Sequence, residues 1–137
     1  MKHILLSPPV LCLAFLAILF LQSGLDKVFN YKGNKEWLSG HFANSPLEKM
    51  TGLIIPLITL LETASGVFCA AGIYFIIFEN SAQVGLIGAQ LSTLSVLALF
   101  FGQRVAQDYA GAATLTSYFI ICIMTIYLLW DMIKVGY

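Results

Sequence analysis

Charge is scarce in this chain of 137 residues. Charged side chains make up 10% of the sequence, against roughly 25% in an ordinary soluble domain, whereas hydrophobic residues make up 59%. Seven basic residues balance seven acidic ones, and they form no basic run. This composition excludes a disordered chain, and the zero net charge gives no support for nucleic acid as a partner.

The usual signatures of redox and metal chemistry are also missing. Cys12, Cys69 and Cys122 stand singly in separate apolar segments, so each is interpreted as a small buried hydrophobe rather than half of a dithiol. His3 and His41 lie outside those segments on opposite sides, which argues against haem, and no H-x-x-H or E-x-x-H spacing indicates a metal. The sequence predicts no metal and no evident cofactor, and on its own it does not look like an enzyme.

Long apolar segments dominate what is present. A helix needs about 20 residues to cross a bilayer, so the chain has room for four spans. We predict them at about residues 8–29, 46–78, 82–101 and 112–133, as an all-α four-helix bundle that forms one transmembrane domain. A cleaved signal peptide is the alternative for the first segment, but no small-x-small cleavage site follows it. The lipid bilayer is therefore the first predicted partner.

The longest polar connection joins the first two spans. Residues 30–45 mix lysine, asparagine and glycine with aromatic residues, which favours a loop at the membrane interface with Trp37 as an anchor. The sequence SPLE (45–48) is a capping box with proline at the first helical position, so the second helix is predicted to begin there. Pro56 predicts a kink, because it cannot donate a hydrogen bond to the carbonyl of Gly52.

Lysine and arginine are distributed unevenly between the two sides of the membrane. The side of the long connection carries Lys27, Lys32, Lys35, Lys49 and Arg104, and the side of the termini carries Lys2 and Lys134. Cytoplasmic loops are enriched in these residues. The long connection is therefore predicted to face the cytoplasm, and the termini the periplasm.

Small residues recur at the spacing of close helix contacts. Helix association in lipid depends on close van der Waals approach, which small side chains permit. The pairs predicted to mark such contacts are Gly66 with Ala70, Gly85 with Ala89, and Gly88 with Ser92.

Polar side chains within the spans are the most informative residues. Glu62 lies near the middle of the second span, where a lone charged side chain costs about 3 kcal/mol, so it must face the bundle interior and be paired or protonated. Other polar residues lie in the first span, in the third span and just before the fourth. We predict that they converge on one pocket, formed by Gln22, Asp26, Lys27, Glu62, Gln90, Arg104, Asp108 and Tyr109.

Two interpretations of this cluster remain open from the residues alone. One is an ion-pair clasp that orients the four helices and binds no ligand. The other is a site for a small molecule, a proton or a head group, because ionisable groups inside a membrane usually mark function. A quinone suits the second interpretation, since its ring needs an apolar slot and a few hydrogen-bonding groups.

Three segments together resemble the DoxX family of small four-helix membrane proteins. They are SGLDKVF (23–29) at the end of the first span, the acidic residue at position 62, and GQRVAQDYAGAATL (102–115) before the last span. The resemblance covers about residues 10–133. It places Asp26 and Lys27 on the family's first motif, and Arg104 and Asp108 on its last.

The resemblance implies a bundle in the bacterial inner membrane with a link to redox work. Members of the family include quinone-reducing thiosulfate oxidoreductase subunits and membrane partners of oxidative-stress proteins, and animal relatives act as assembly factors. The implied function is an accessory subunit of a redox- or quinone-linked complex, with any electron carrier supplied by a redox protein partner. A small-solute transporter or channel, an assembly factor or scaffold, and a homo-oligomer remain alternatives, because a fold does not fix a function.

Overall fold

Helices account for nearly all of the computed structural model, which describes residues 2–43, 45–46 and 48–137. Within these ranges no strand occurs. Four of the helices are long and apolar enough to cross a bilayer, so the chain is a multi-pass membrane protein. This confirms the predicted all-α four-helix bundle. The helices are α1 (Lys2–Leu5), α2 (Pro8–Phe29), α3 (Tyr31–His41), α4 (Thr51–Glu79), α5 (Gln83–Val105) and α6 (Tyr109–Lys134).

The ends of the long helices differ from the prediction by a few residues. A 3-10 turn, Glu48–Met50, precedes α4, which therefore begins later than expected. The predicted capping box depends on the side chain of Glu48, which lies outside the described residues. Pro56 lies inside α4, and the kink there stays a prediction. Helices α5 and α6 extend into the polar segment 102–111, and only residues 106–108 connect them.

The predicted interfacial loop is wrong over residues 31–41, which form α3. Asn30 interrupts the helical backbone between α2 and α3, with its N–H donating to the carbonyl of Asp26 at 2.8 Å. Phe42, at the end of α3, is buried and packs against the Cα of Gly102 in α5. This apolar contact attaches α3 to the bundle, and it explains how a segment with two glycines and an asparagine forms a helix there.

Glycines set the close approaches between the long helices. A Cβ atom on Gly66 would lie 2.7 Å from the backbone nitrogen of Leu21, and one on Gly88 would lie 2.6 Å from that of Cys69. These positions bring α4 against both α2 and α5, so α4 is the central helix of the bundle. The predicted small-residue contacts are confirmed except at Ala70, which is exposed.

Small hydroxyl and thiol groups fill the interface between α4 and α5. The Oγ atoms of Ser65 and Ser95 lie 3.0 Å apart, and the Cys69 Sγ lies 3.5 Å from the Ser92 Oγ. All four residues are fully buried. Each serine also donates to a backbone carbonyl of its own helix, so no water is needed to satisfy the interface.

Candidate functional site

A buried ion pair joins α2 to α4. The Lys27 Nζ lies 2.9 Å from the Glu62 Oε2, and the Ser23 Oγ donates to the same oxygen at 2.8 Å. The Lys27 Nζ also lies 3.0 Å from the Ser23 Oγ, which closes a triangle of three hydrogen bonds. The Glu62 side chain is 1% exposed and that of Lys27 is 15% exposed, so the pair lies almost wholly out of solvent and lipid.

Close packing of α2 on α4 brings these three residues together. Gly24 faces the backbone of Thr63, the neighbour of Glu62, at a distance that leaves no room for a Cβ atom. Lys27 lies one turn further along α2, towards the membrane surface. Because helical side chains lean towards the N-terminus of their helix, the ammonium group reaches back into the membrane and meets the carboxylate.

The ion pair lies on the wall of a cavity of about 520 Å³. This volume is within the range of small-molecule sites, roughly 300–1,000 Å³. Helices α2, α3, α4 and α5 all contribute to the lining, and most of the lining surface is apolar. Five lining residues carry polar side chains in the interior, namely Ser23, Lys27, His41, Glu62 and Gln103.

A second polar group lies on the α3 side of the cavity. The His41 Nε2 is 2.8 Å from the Gln103 Oε1 and 3.5 Å from the Asp108 Oδ2. The Trp37 ring stacks on the His41 ring, with centroids 4.7 Å apart. These contacts fix the imidazole between α3 and the end of α5, so α3 forms one wall of the cavity.

Asp108 has a structural task besides its contact with His41. It is the N-cap of α6, and its Oδ1 accepts a hydrogen bond from the backbone nitrogen of Gly111 at 2.9 Å. The preceding residue, Gln107, has a φ of 61°, which turns the chain sharply between α5 and α6. The carboxylate therefore stabilises the start of the last span.

The capping contact predicts different effects for two substitutions of Asp108. Asp108→Ala is expected to lower the free energy of unfolding by about 0.5–2 kcal/mol, since a free N–H is left at the helix start. Asp108→Asn keeps an acceptor and should stay close to wild type. Detergent-titrated unfolding of the purified protein measures both, and equal losses in the two variants would contradict a capping role.

The predicted convergence of all the polar residues on one pocket does not occur. Lys27 and Glu62 form an ion pair, and Asp108 contacts His41, which lines the same cavity. Arg104 is exposed, with its guanidinium carbon 4.5 Å from the centre of the Tyr109 ring. The remaining three residues are exposed on the outer faces of their helices, because packing turns the other sides inward; these are Gln22, Asp26 and Gln90.

Four cavity-lining residues with polar side-chain groups were missing from the predicted site. Ser23 lies four positions before Lys27, and this spacing in α2 was a usable signal for it. Trp37 and His41 are also four positions apart, but this spacing has meaning only once α3 is known to be a helix. Gln103 gave no local signal, because its partner His41 is 62 residues away in the sequence.

The ion pair retains unused hydrogen-bonding capacity. An ammonium group has three N–H donors, and the carboxylate has two oxygens. Lys27 uses two donors, on Ser23 and Glu62, and the Glu62 Oε1 accepts no hydrogen bond from the described residues. The site therefore offers a ligand one charged donor and one carboxylate acceptor. Among the described residues, no three His, Cys, Asp or Glu side chains gather closely enough to hold a metal ion.

The residues that resemble the DoxX motifs take separate positions in the structure. Of the first motif, Lys27 binds Glu62 while its neighbour Asp26 is exposed. Of the last motif, Arg104 lies over Tyr109 and Asp108 caps α6. In comparisons with known proteins, the chain matches no protein-family model, no curated protein and no solved structure.

Proposed function

We propose that this membrane protein is a DoxX-like accessory subunit of a quinone- or redox-linked membrane complex, and that it binds a quinone ring in the cavity. The observation that carries the proposal is the Lys27–Glu62 pair on the wall of a mostly apolar cavity of about 520 Å³. Ligand sites of this kind combine an apolar lining with a few placed polar groups. A membrane-soluble ligand with a polar ring and an apolar tail matches that combination.

The polar groups of the cavity suit the two ends of such a ring. Lys27 would donate a charged hydrogen bond to one carbonyl oxygen. Because the Gln103 Oε1 is bonded to His41, the amide nitrogen of Gln103 would donate to a second. Apolar side chains of α4, among them Leu57, Ile58 and Leu61, line the space between. The residues present therefore fit a quinone, which when bound would supply the capacity to take up electrons and protons.

Glu62 would accept a hydrogen bond next to the ring in this proposal. Its Oε2 is occupied by Lys27 and Ser23, whereas its Oε1 accepts no hydrogen bond from the described residues. A carboxylate so placed favours a ligand group that donates, such as the hydroxyl of a reduced quinone. Electrons would come from a redox protein partner, because the sequence contains no recognisable ligand set for a carrier of its own.

The proposal places the protein in a bacterial inner membrane with the α3 side in the cytoplasm. Lys27 is neutralised by Glu62, so it no longer counts as a free positive charge. The side of α3 still carries four others, Lys32, Lys35, Lys49 and Arg104, against two on the side of the termini. This excess supports periplasmic termini.

Binding of a soluble quinone analogue to the protein in lipid nanodiscs tests the proposal. Lys27→Met should weaken binding roughly ten- to hundred-fold, because a hydrogen bond from a charged group is worth about 1.5–3 kcal/mol. Glu62→Gln keeps the shape of the side chain and should also weaken binding, through loss of its charge. Asp26→Asn, an exposed neighbour, is the matched control and should bind as wild type does.

Two results would contradict this assignment. Equal affinity in wild type and Glu62→Gln would remove Glu62 from the site. Equal affinity in Lys27→Met as well, with each variant shown by size-exclusion chromatography to be folded, would remove the ion pair altogether.

A further inference from the structure

Gln90 is a polar side chain on the lipid-facing surface of α5. It is exposed, and it forms no hydrogen bond to another described residue. It lies seven residues after Gln83, the start of α5, or about 10 Å along the helix axis. That depth is well inside a hydrocarbon layer about 30 Å thick, where an amide without a partner is unfavourable.

Six of the exposed residues of α5 form a seam with the spacing of a coiled coil. They follow one another at intervals of four and three residues, which is the pattern that two packed helices share. The apolar members flank Gln90 on both sides, and each is at least two-fifths exposed. The seam consists of Gln83, Ile87, Gln90, Leu94, Leu97 and Phe101.

Gln22 on α2 is also exposed within a span, but its surroundings differ. It lies four residues, or about 6 Å, from the exposed carboxylate of Asp26, which marks the polar end of α2. A glutamine side chain at that depth reaches polar surroundings. The residues one turn from Gln90 on its exposed face are Ile87 and Leu94, so Gln90 has no such outlet.

We infer that a second copy of this chain covers the seam, as a parallel α5–α5 dimer in which the two Gln90 amides hydrogen-bond to each other. An amide carries both a donor and an acceptor, so it is complementary to itself. A two-fold axis along the membrane normal places both copies of Gln90 at the same depth. Single polar residues of this kind specify pairing and register in helix dimers.

The charged end of α5 is compatible with this arrangement. Arg104 lies one turn beyond Phe101, at the end of the helix, and its guanidinium group lies over the Tyr109 ring. The seam therefore runs from Gln83 to Phe101, and the two arginines lie past its end. Phe101, at the end of the seam, also lines the cavity, but Gln90 does not, so a substitution of Gln90 tests the dimer without changing the proposed quinone site.

Fluorescence resonance energy transfer between donor-labelled and acceptor-labelled copies in lipid vesicles measures the strength of dimerisation. Gln90→Leu should weaken dimerisation about ten-fold, as expected for an interhelical amide pair in lipid. Gln22→Leu is the matched control and should leave dimerisation unchanged. Leu94→Cys should form a cross-linked dimer on oxidation, whereas Ile123→Cys on the exposed face of α6 should not, both in a chain whose native cysteines are replaced by alanine.

Three results would overturn the inference. In the first, the wild-type protein stays monomeric as its density in the vesicle is raised. In the second, Gln90→Leu dimerises as strongly as wild type. In the third, cross-linking occurs through α6 rather than α5. Quinone-analogue binding by Gln90→Leu should equal that of wild type, so a failed dimer and a failed ligand site are told apart.

Discussion

Lys27→Met is expected to lower the free energy of unfolding by about 3–5 kcal/mol, because it leaves a buried carboxylate without its counter-charge. Glu62 is 1% exposed and faces a mostly apolar cavity, so little solvation replaces the lost ammonium group. Ser23 alone would remain to donate to the Glu62 Oε2. In this variant either the Glu62 carboxyl group becomes protonated or the contact between α2 and α4 loosens. Each of these changes lowers the free energy of unfolding.

The double variant Lys27→Met/Glu62→Leu separates the ion pair from the packing around it. Replacing both partners with apolar groups removes the unpaired charge, so the double variant should recover most of the stability lost in Lys27→Met. Reversible unfolding in mixed micelles, titrated with a denaturing detergent, gives the free energies. Asp26→Asn is the control, since its side chain is exposed one position away.

Two results would contradict an energetic interaction between Lys27 and Glu62. If the losses in Lys27→Met and Glu62→Leu simply add in the double variant, the two side chains do not interact energetically. A Lys27→Met variant within about 0.5 kcal/mol of wild type, the range of ordinary surface substitutions, would point the same way.

Gly88→Val is expected to have the second large effect on stability. Its Cβ atom would meet the backbone of Phe68 and Cys69 in α4, with 2.6 Å to the Cys69 nitrogen. Backbone atoms cannot rotate away, so α5 must separate from α4 along the interface that Ser92 and Ser95 complete. Overpacking typically costs about 1–3 kcal/mol, and we expect the upper end here because the clash is with backbone.

Gly52→Ala is the matched control for the Gly88→Val substitution. Gly52 is a helical glycine of α4 with nothing within 4 Å of an added Cβ atom, so the substitution should leave stability unchanged or slightly raised. The same detergent titration measures both variants. A Gly88→Val protein as stable as wild type would show that α4 and α5 do not approach each other as closely as the glycines indicate.

Most of the fold could be predicted from the length of the apolar segments. Each long helix contains an apolar run long enough to cross a membrane, so the number and order of the spans follow from the sequence. The ends of the spans did not, because the polar segment 102–111 is mostly helical and the chain turns only at residues 106–108. Segment polarity predicts where a helix leaves the hydrocarbon layer, not where its hydrogen bonds stop.

The sequence prediction that Glu62 faces the bundle interior and is paired is confirmed, whereas the predicted faces of its neighbours are wrong. In α2 the polar residues Gln22 and Asp26 are exposed, while Ser23 and Lys27 face α4. Close approach at Gly24 fixes that rotation, since only the glycine side of α2 fits against the backbone of Thr63. Small size, rather than polarity, therefore decided which face of the helix is buried.

The α3 wall of the cavity could not be predicted from local sequence. Its composition disfavours a helix, and its role depends on the burial of Phe42 against Gly102 and on the contact of His41 with Gln103. Both contacts join residues about sixty positions apart. Such pairs become visible only when the ends of α2, α4 and α5 are positioned in space.

Photo-crosslinking with an azido-quinone, followed by mass spectrometry of the labelled peptides, tests the central claim most directly. If the cavity beside Lys27 and Glu62 binds the ring, labelling of wild-type protein in nanodiscs should concentrate on the cavity-lining segments of α4 and α5, namely 54–61 and 98–103. An excess of unlabelled quinone should abolish it, and Lys27→Met should reduce it. Labelling spread over lipid-facing residues of α6 such as Ile120 and Tyr127, with no response to competitor, would contradict the claim.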